Sequence, residues 1–126
     1  MSEPLKGIVV SHSALAQGLV DAVRQITGES EALVPVSNDG CDGTALARRL
    51  SDAVGTGSAV VFVDLPGGSC LQAAVRQMRE SAAIAVVAGV NLAMLLDFIY
   101  HRNLSPGEAA RRAAEYGASA VRAVSV

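Results

Sequence analysis

The amino-acid sequence predicts an α/β fold: a doubly wound, mainly parallel sheet with helices on both faces. Three observations carry this. Short, β-branched, nearly all-apolar runs alternate with longer segments of helical period. Each run ends in a small polar or glycine-rich turn, as strands buried on both faces do. The composition is 51% hydrophobic with two Phe, two Tyr and no Trp, which suits layers of small side chains packed closely. At 126 residues, the chain is expected to form one domain over 1–126 with room for a real core.

The predicted strands are "LKGIVV" (5–10), "EALVPV" (31–36), "SAVVFV" (58–63) and "AIAVVA" (83–88). After the first comes a helix in which Leu15, Leu19, Val23 and Ile26 share a face, with Ser13 as N-cap and Thr27-Gly28 as stop. The second helix keeps Leu46, Leu50 and Val54 on one face, starts near Asp42 or Thr44, and ends at Gly55. In the third, Ser69 as N-cap and Gln72 form a capping box ahead of a stripe of Leu71, Val75 and Met78. A fourth begins at Asn91 and carries Leu92, Leu95, Leu96 and Ile99. "SPGE" opens the fifth: Ser105 caps, Pro106 takes the first helical position and Glu108 completes the box. The tail "SAVRAVSV" (119–126) reads as a C-terminal edge strand, in this chain or exchanged with a partner copy in a dimer.

Several function classes fall away on composition. Net charge is −2 and the ten Lys and Arg are scattered, so there is no basic face for nucleic acid. Cys41 and Cys70 lie far apart with no His or Cys neighbour at metal-ligand spacing, which argues against a disulfide framework or a zinc site. They read as small fillers near turns, although the helix start at Cys70 can activate a thiol. The opening "MSEPLKG" has no apolar signal region, and the apolar stretch 82–96 is shorter than the ~20 residues of a membrane span. A cytoplasmic location is expected.

In such sheets, chemistry sits outside the carboxyl ends of the strands. Three turns there are loaded: "SHS" after the first strand, "DLPGGS" after the third and "GVN" after the fourth. His12 offers one ring nitrogen as nucleophile or base, with the other free to be oriented. Asp64, directly after the third strand, is placed to orient it and to balance positive charge. Taken singly, each also fits a blander role, a surface histidine and a strand-ending aspartate. Gly67 and Gly68 allow close backbone approach, and Ser69 opens a helix whose free N–H groups suit an anion. Together these residues point to a phosphohistidine carrier with no metal and no nucleotide or other cofactor. His101, in "YHRN", complements a helix C-terminus.

Three segments also resemble a family. "IVVSHSALAQGLVDAVRQITG", "VFVDLPGGS" and "VVAGVNLAMLLDFI" are similar, in order and spacing over about 7–100, to signatures of the mannose-family EIIA domains of the bacterial phosphoenolpyruvate-dependent sugar phosphotransferase system. The resemblance implies that His12 carries phosphate on Nε2 while Asp64 holds Nδ1. It places Ser69, with Ser13, Gly67 and Gly68, beside the phosphoryl group, and gives Ser11 and Asn91 supporting roles. It implies HPr as donor, an EIIB component on a separate chain as recipient, a homodimer, and contact with a membrane only through a permease complex. Cys70-Leu71 departs from the proline, often followed by Phe-Asn, that is common after the glycine turn. Two readings stand beside this one: a regulatory phosphorelay or binding module without sugar transport, and a dihydroxyacetone-kinase phosphotransfer subunit.

Overall fold

A computed structural model of the chain describes residues 3–125. It contains β1 (Lys6–Ser11), α1 (Leu15–Thr27), β2 (Leu33–Ser37), α2 (Gly43–Val54), β3 (Ala59–Val63), α3 (Ser69–Glu80), β4 (Ile84–Ala88), α4 (Leu92–Ile99) and α5 (Pro106–Ser119). All four strands pair in parallel, in the order β2-β1-β3-β4. The central strands β1 and β3 are buried almost throughout, while β2 and β4 at the edges are only partly so.

Side chains alternate across the pleat and so sort the core into two layers. Val9, Val60 and Phe62 point to the face covered by α1, α4 and α5, where they meet Val20, Val23, Leu95, Phe98 and Ala113. Ile8, Val10, Val61 and Val63 point to the other face, against Leu46 and Leu50 of α2 and Cys70 and Ala74 of α3. Phe62 and Phe98 meet edge to face, with centroids 5.2 Å apart, which adds about 0.5–1.5 kcal/mol beyond their burial.

This layering reflects the path of the chain. It steps from β1 outward to β2 by way of α1 on one face, then passes back over β1 to β3 by way of α2 on the other. The reversal falls between β1 and β3. Doubly wound sheets open their ligand crevice at the carboxyl ends of such a strand pair.

Four expectations need correction. Residues 121–125 form no strand in this chain; Val121 and Val124 are exposed, and Val126 lies outside the described residues. Ser13 does not cap α1. It takes φ 52, and the N-cap position falls to Ala14, which makes no side-chain cap bond. Nor does the Ser69–Gln72 capping box form, because Gly68 is the N-cap of α3 with φ 88, a left-handed conformation suited to glycine. Finally, α3 buries Cys70, Ala73, Ala74 and Gln77 rather than Leu71, Val75 and Met78, and α1 buries Ala16, Val20 and Val23 while Leu15 and Ile26 are exposed. Small side chains let these helices lie close to the sheet, and the larger ones are displaced to the flanks.

The expected caps of α2, α4 and α5 are present. The Asp42 carboxylate accepts from Ala45 N, Asn91 Oδ1 from Met94 N, and Ser105 Oγ from Glu108 N. Glu108 returns the contact through its carboxylate, which accepts from the Ser105 hydroxyl instead of the backbone N–H of a full capping box.

Candidate functional site

β1 ends at Ser11 and β3 at Val63, with Val10 beside Val63 in the register of the pair. Adjacent strands run about 4.8 Å apart, so the residues that follow them, His12 and Asp64, emerge within side-chain reach. Asp64 Oδ2 accepts two hydrogen bonds from this one residue, from the His12 backbone N–H at 2.9 Å and from ring Nδ1 at 2.8 Å. The imidazole is 49% exposed and the carboxylate 8%, so the ring is held on one edge and open on the other.

These contacts assign a donor role to ring Nδ1. Burial pushes the Asp64 carboxyl up, but the His12 backbone N–H, the His12 ring and the positive charge that ring can carry outweigh it, and the carboxyl is held below its ordinary value. An ionised carboxylate can only accept hydrogen bonds. Nδ1 is therefore the donor in this contact, and Nε2 is the ring nitrogen with no hydrogen-bond partner among the described residues.

Ser11 fastens the loop from below. Its hydroxyl is fully buried, accepts from Ala16 N at 2.7 Å and donates to the His12 carbonyl at 3.0 Å. This single side chain ties the start of α1 to the backbone of His12, in the capping role expected of Ser13. Ser13 is exposed, in the left-handed conformation that costs a non-glycine residue about 1 kcal/mol.

The "DLPGGS" turn carries the chain from Asp64 into α3, with Gly67, Gly68 and Ser69 exposed along it. Cys70 shows where that helix begins in space. A ring nitrogen of His12, a carboxylate oxygen of Asp64 and Cys70 Sγ all lie within 4.8 Å of one another. The first turn of α3 thus stands beside the His12 ring, and its leading N–H groups are available to an anion there. Sequence spacing concealed Cys70, since residues 12, 64 and 70 meet only through the strand order. Burial pushes the Cys70 thiol above its ordinary value, the nearby Asp64 charge adds to this, and Ser69 opposes it.

Asn91 belongs to the scaffold. Besides capping α4, its Nδ2 donates to the Gly117 carbonyl at 3.0 Å, and a Cβ on Gly117 would come within 3.1 Å of Asn91 Oδ1 and 2.9 Å of Met94 Cε. Its hydrogen bonds bind α4 to α5 and reach neither His12 nor Asp64. His101 lies just past the end of α4, its Nδ1 2.8 Å from the Asp97 carbonyl.

Residues 6–115 match the model of the EIIA-man family, described as the PTS system fructose IIA component. The chain belongs to that family. As an EIIA domain it is a component of the phosphotransferase system. No curated protein matches it. Among solved structures it is similar to the mannose/sorbose specific IIA subunit of the phosphotransferase system from Enterococcus faecalis, at 26% identity and a TM-score of 0.86 over 98% of this chain and 97% of that one. It also shares its fold with the phosphotransferase system component EIIA from Streptococcus agalactiae, at 21% identity and a TM-score of 0.87 over 94% of this chain and 96% of that one.

In this EIIA domain the His12 side chain is half exposed beside the buried Asp64. A groove of about 330 Å³, lined by Ile26, Leu96, Tyr100 and Tyr116 among others, lies at the far end of α1, roughly 16 Å along the helix from the His12 turn. Leu15 and Leu65, which follow His12 and Asp64 in the chain, are about half exposed. No helix among the described residues is long and apolar enough to cross a membrane.

Proposed function

We propose that the protein is a phosphohistidine carrier in the cytoplasm. It accepts a phosphoryl group from HPr on His12 Nε2 and delivers it to an EIIB component on a separate chain, for sugar uptake through a permease complex. The observation that carries this reading is the double hold of Asp64 Oδ2 on His12, which engages Nδ1 and leaves Nε2, on a half-exposed ring, as the nitrogen offered to a phosphoryl group.

The Nε2 lone pair attacks the phosphorus of the donor phosphohistidine in line. A new N–P bond forms as the donor's N–P bond breaks, and the donor ring keeps the electron pair. The His12 ring becomes a phospho-imidazolium that retains its Nδ1 proton, and the Asp64 charge, 2.8 Å away, balances it. Backbone N–H groups at the start of α3, with Gly67, Gly68 and the hydroxyls of Ser13 and Ser69, receive the phosphoryl oxygens. Phosphoryl transfer needs chiefly positioning and charge stabilisation, so this small set suffices. The delivery step reverses the same motions. An open site flanked by exposed Leu15 and Leu65 suits protein partners better than an enclosed small substrate.

The exposed tail 121–125, with Val121 and Val124 uncovered, fits exchange into the sheet of a second copy, and we take the working unit to be a homodimer. The test is transfer from phosphoenolpyruvate through enzyme I and HPr, read by intact mass and acid lability on wild type and His12→Ala. Acid-labile phosphate on wild type alone is expected. Cognate partners that leave wild type unlabelled would overturn the carrier reading in favour of a docking module.

A further inference from the structure

The geometry points to a second use of the same corner of the fold: we propose that His12, Asp64 and Cys70 form a binding site for a thiophilic divalent cation of the zinc class. One nitrogen, one carboxylate oxygen and one sulfur lie within 4.8 Å of one another, drawn from the ends of β1 and β3 and the first turn of α3. Tetrahedral zinc bonds of about 2.0–2.3 Å set a nitrogen, an oxygen and a sulfur ligand roughly 3.3–3.5 Å apart, so a pair at the 4.8 Å limit closes by about 1.5 Å at most, while Nδ1 and Oδ2, 2.8 Å apart, open slightly.

A second observation points the same way. Asp64 is more than nine-tenths buried, and its Oδ1 has no hydrogen-bond partner among the described residues. The Leu65 N–H favours the charge but does not reach hydrogen-bond geometry. A buried carboxylate oxygen left unpaired costs free energy that a cation recovers. The mixed nitrogen, oxygen and sulfur set selects a borderline-soft ion over magnesium or calcium. The fourth position is left to water on the open His12 side.

The proton balance follows from the assigned tautomer. Asp64 is already ionised. The Cys70 thiol releases its proton to solvent as sulfur binds the ion, and the ion's charge offsets the neighbouring Asp64 charge that otherwise disfavours the thiolate. On Nδ1 the ion takes the place of the ring proton, which moves to Nε2. One proton leaves per ion bound, and the site charges sum to zero. Nε2 then carries hydrogen and has no lone pair to offer, so metal binding and nucleophilicity at His12 exclude each other.

The test is titration of the full chain with Co²⁺, followed by displacement with Zn²⁺. A near-ultraviolet thiolate-to-cobalt band is expected to saturate at one ion per chain and to vanish with Zn²⁺. The band should persist in Cys41→Ser and be absent in Cys70→Ser. His12→Gln changes an exposed side chain, so folding is not at issue, and it should weaken Zn²⁺ binding at least about tenfold. No charge-transfer band in wild type, a band that follows Cys41, or unchanged Zn²⁺ affinity in His12→Gln would each overturn the proposal. None of these readouts requires phosphoryl transfer, so the site stands or falls apart from the carrier function.

Discussion

Asp64→Asn is the sharpest probe of the site. The substitution keeps the shape of a side chain that is 8% exposed but removes its charge, and it replaces one acceptor oxygen with an NH₂ donor. Two hydrogen bonds now end on Oδ2, at 2.9 Å from the His12 backbone N–H and 2.8 Å from ring Nδ1. The amide oxygen can keep the backbone bond. The bond to the ring loses its charge assistance as the imidazolium forms, and a charge-assisted hydrogen bond is worth about 1.5–3 kcal/mol. At ~1.36 kcal/mol per decade, transfer should slow about 10- to 150-fold. In the opposite amide orientation an N–H takes the place of Oδ2, which loses the backbone bond as well and favours the tautomer with hydrogen on Nε2, which has no nucleophilic lone pair. The assay is single-turnover transfer from phosphorylated HPr by rapid quench, beside urea unfolding of both proteins and nitrogen-15 detection of the His12 tautomer. Full-rate transfer by Asp64→Asn, or hydrogen on Nε2 in the wild type, would refute the role assigned to the carboxylate.

Three further outcomes are expected. Ser11→Ala removes the buried hydroxyl that bonds Ala16 N and the His12 carbonyl, and should lower stability by about 1–2 kcal/mol, read from urea midpoints. Asp64 has its carboxyl pKa lowered by folding. The stability it contributes is therefore complete above its unfolded value near ~3.9 and is lost as pH falls through the lower native value. Urea midpoints across this acid range should fall less steeply in Asp64→Asn than in wild type, and equal slopes would contradict the shift. Iodoacetamide should label the half-buried Cys41 well before Cys70, which is buried and carries a raised pKa; mass mapping of early time points checks the order.

The four strands were legible because each is a short apolar run bounded by a turn, and parallel pairing leaves such runs nowhere to lie but inside. His12 and Asp64 were legible as polar residues placed directly at strand ends. Their contact follows from β1 lying next to β3, which the alternation of elements implies. What escaped was fine placement. Ser11 and Ser13 are equally good caps on paper, and only the left-handed turn at Ser13 decides between them. The largest apolar residues of α3 predict its buried stripe on paper, whereas close packing on the sheet selects Cys70, Ala73 and Ala74. Cys70 beside His12 has no signal in residue spacing alone; the strand order that joins Asp64 to His12 also brings in the start of α3, but only the helix geometry turns the Cys70 side chain toward the ring. The tail shows an apolar pattern like a strand's, but among the described residues the sheet is β2-β1-β3-β4 and leaves 121–125 unpaired.

One feature of the His12 ring reaches beyond its own chemistry. A residue gripped by the same carboxylate oxygen at its backbone and at its ring has no freedom to swing between two stations. It presents one edge in one direction. In the carrier role proposed above, a donor and a recipient of phosphate then use a single doorway in turn, and no complex of all three is productive. Flux through such a carrier is governed by exchange of visitors, so an excess of either partner in its spent form obstructs the other.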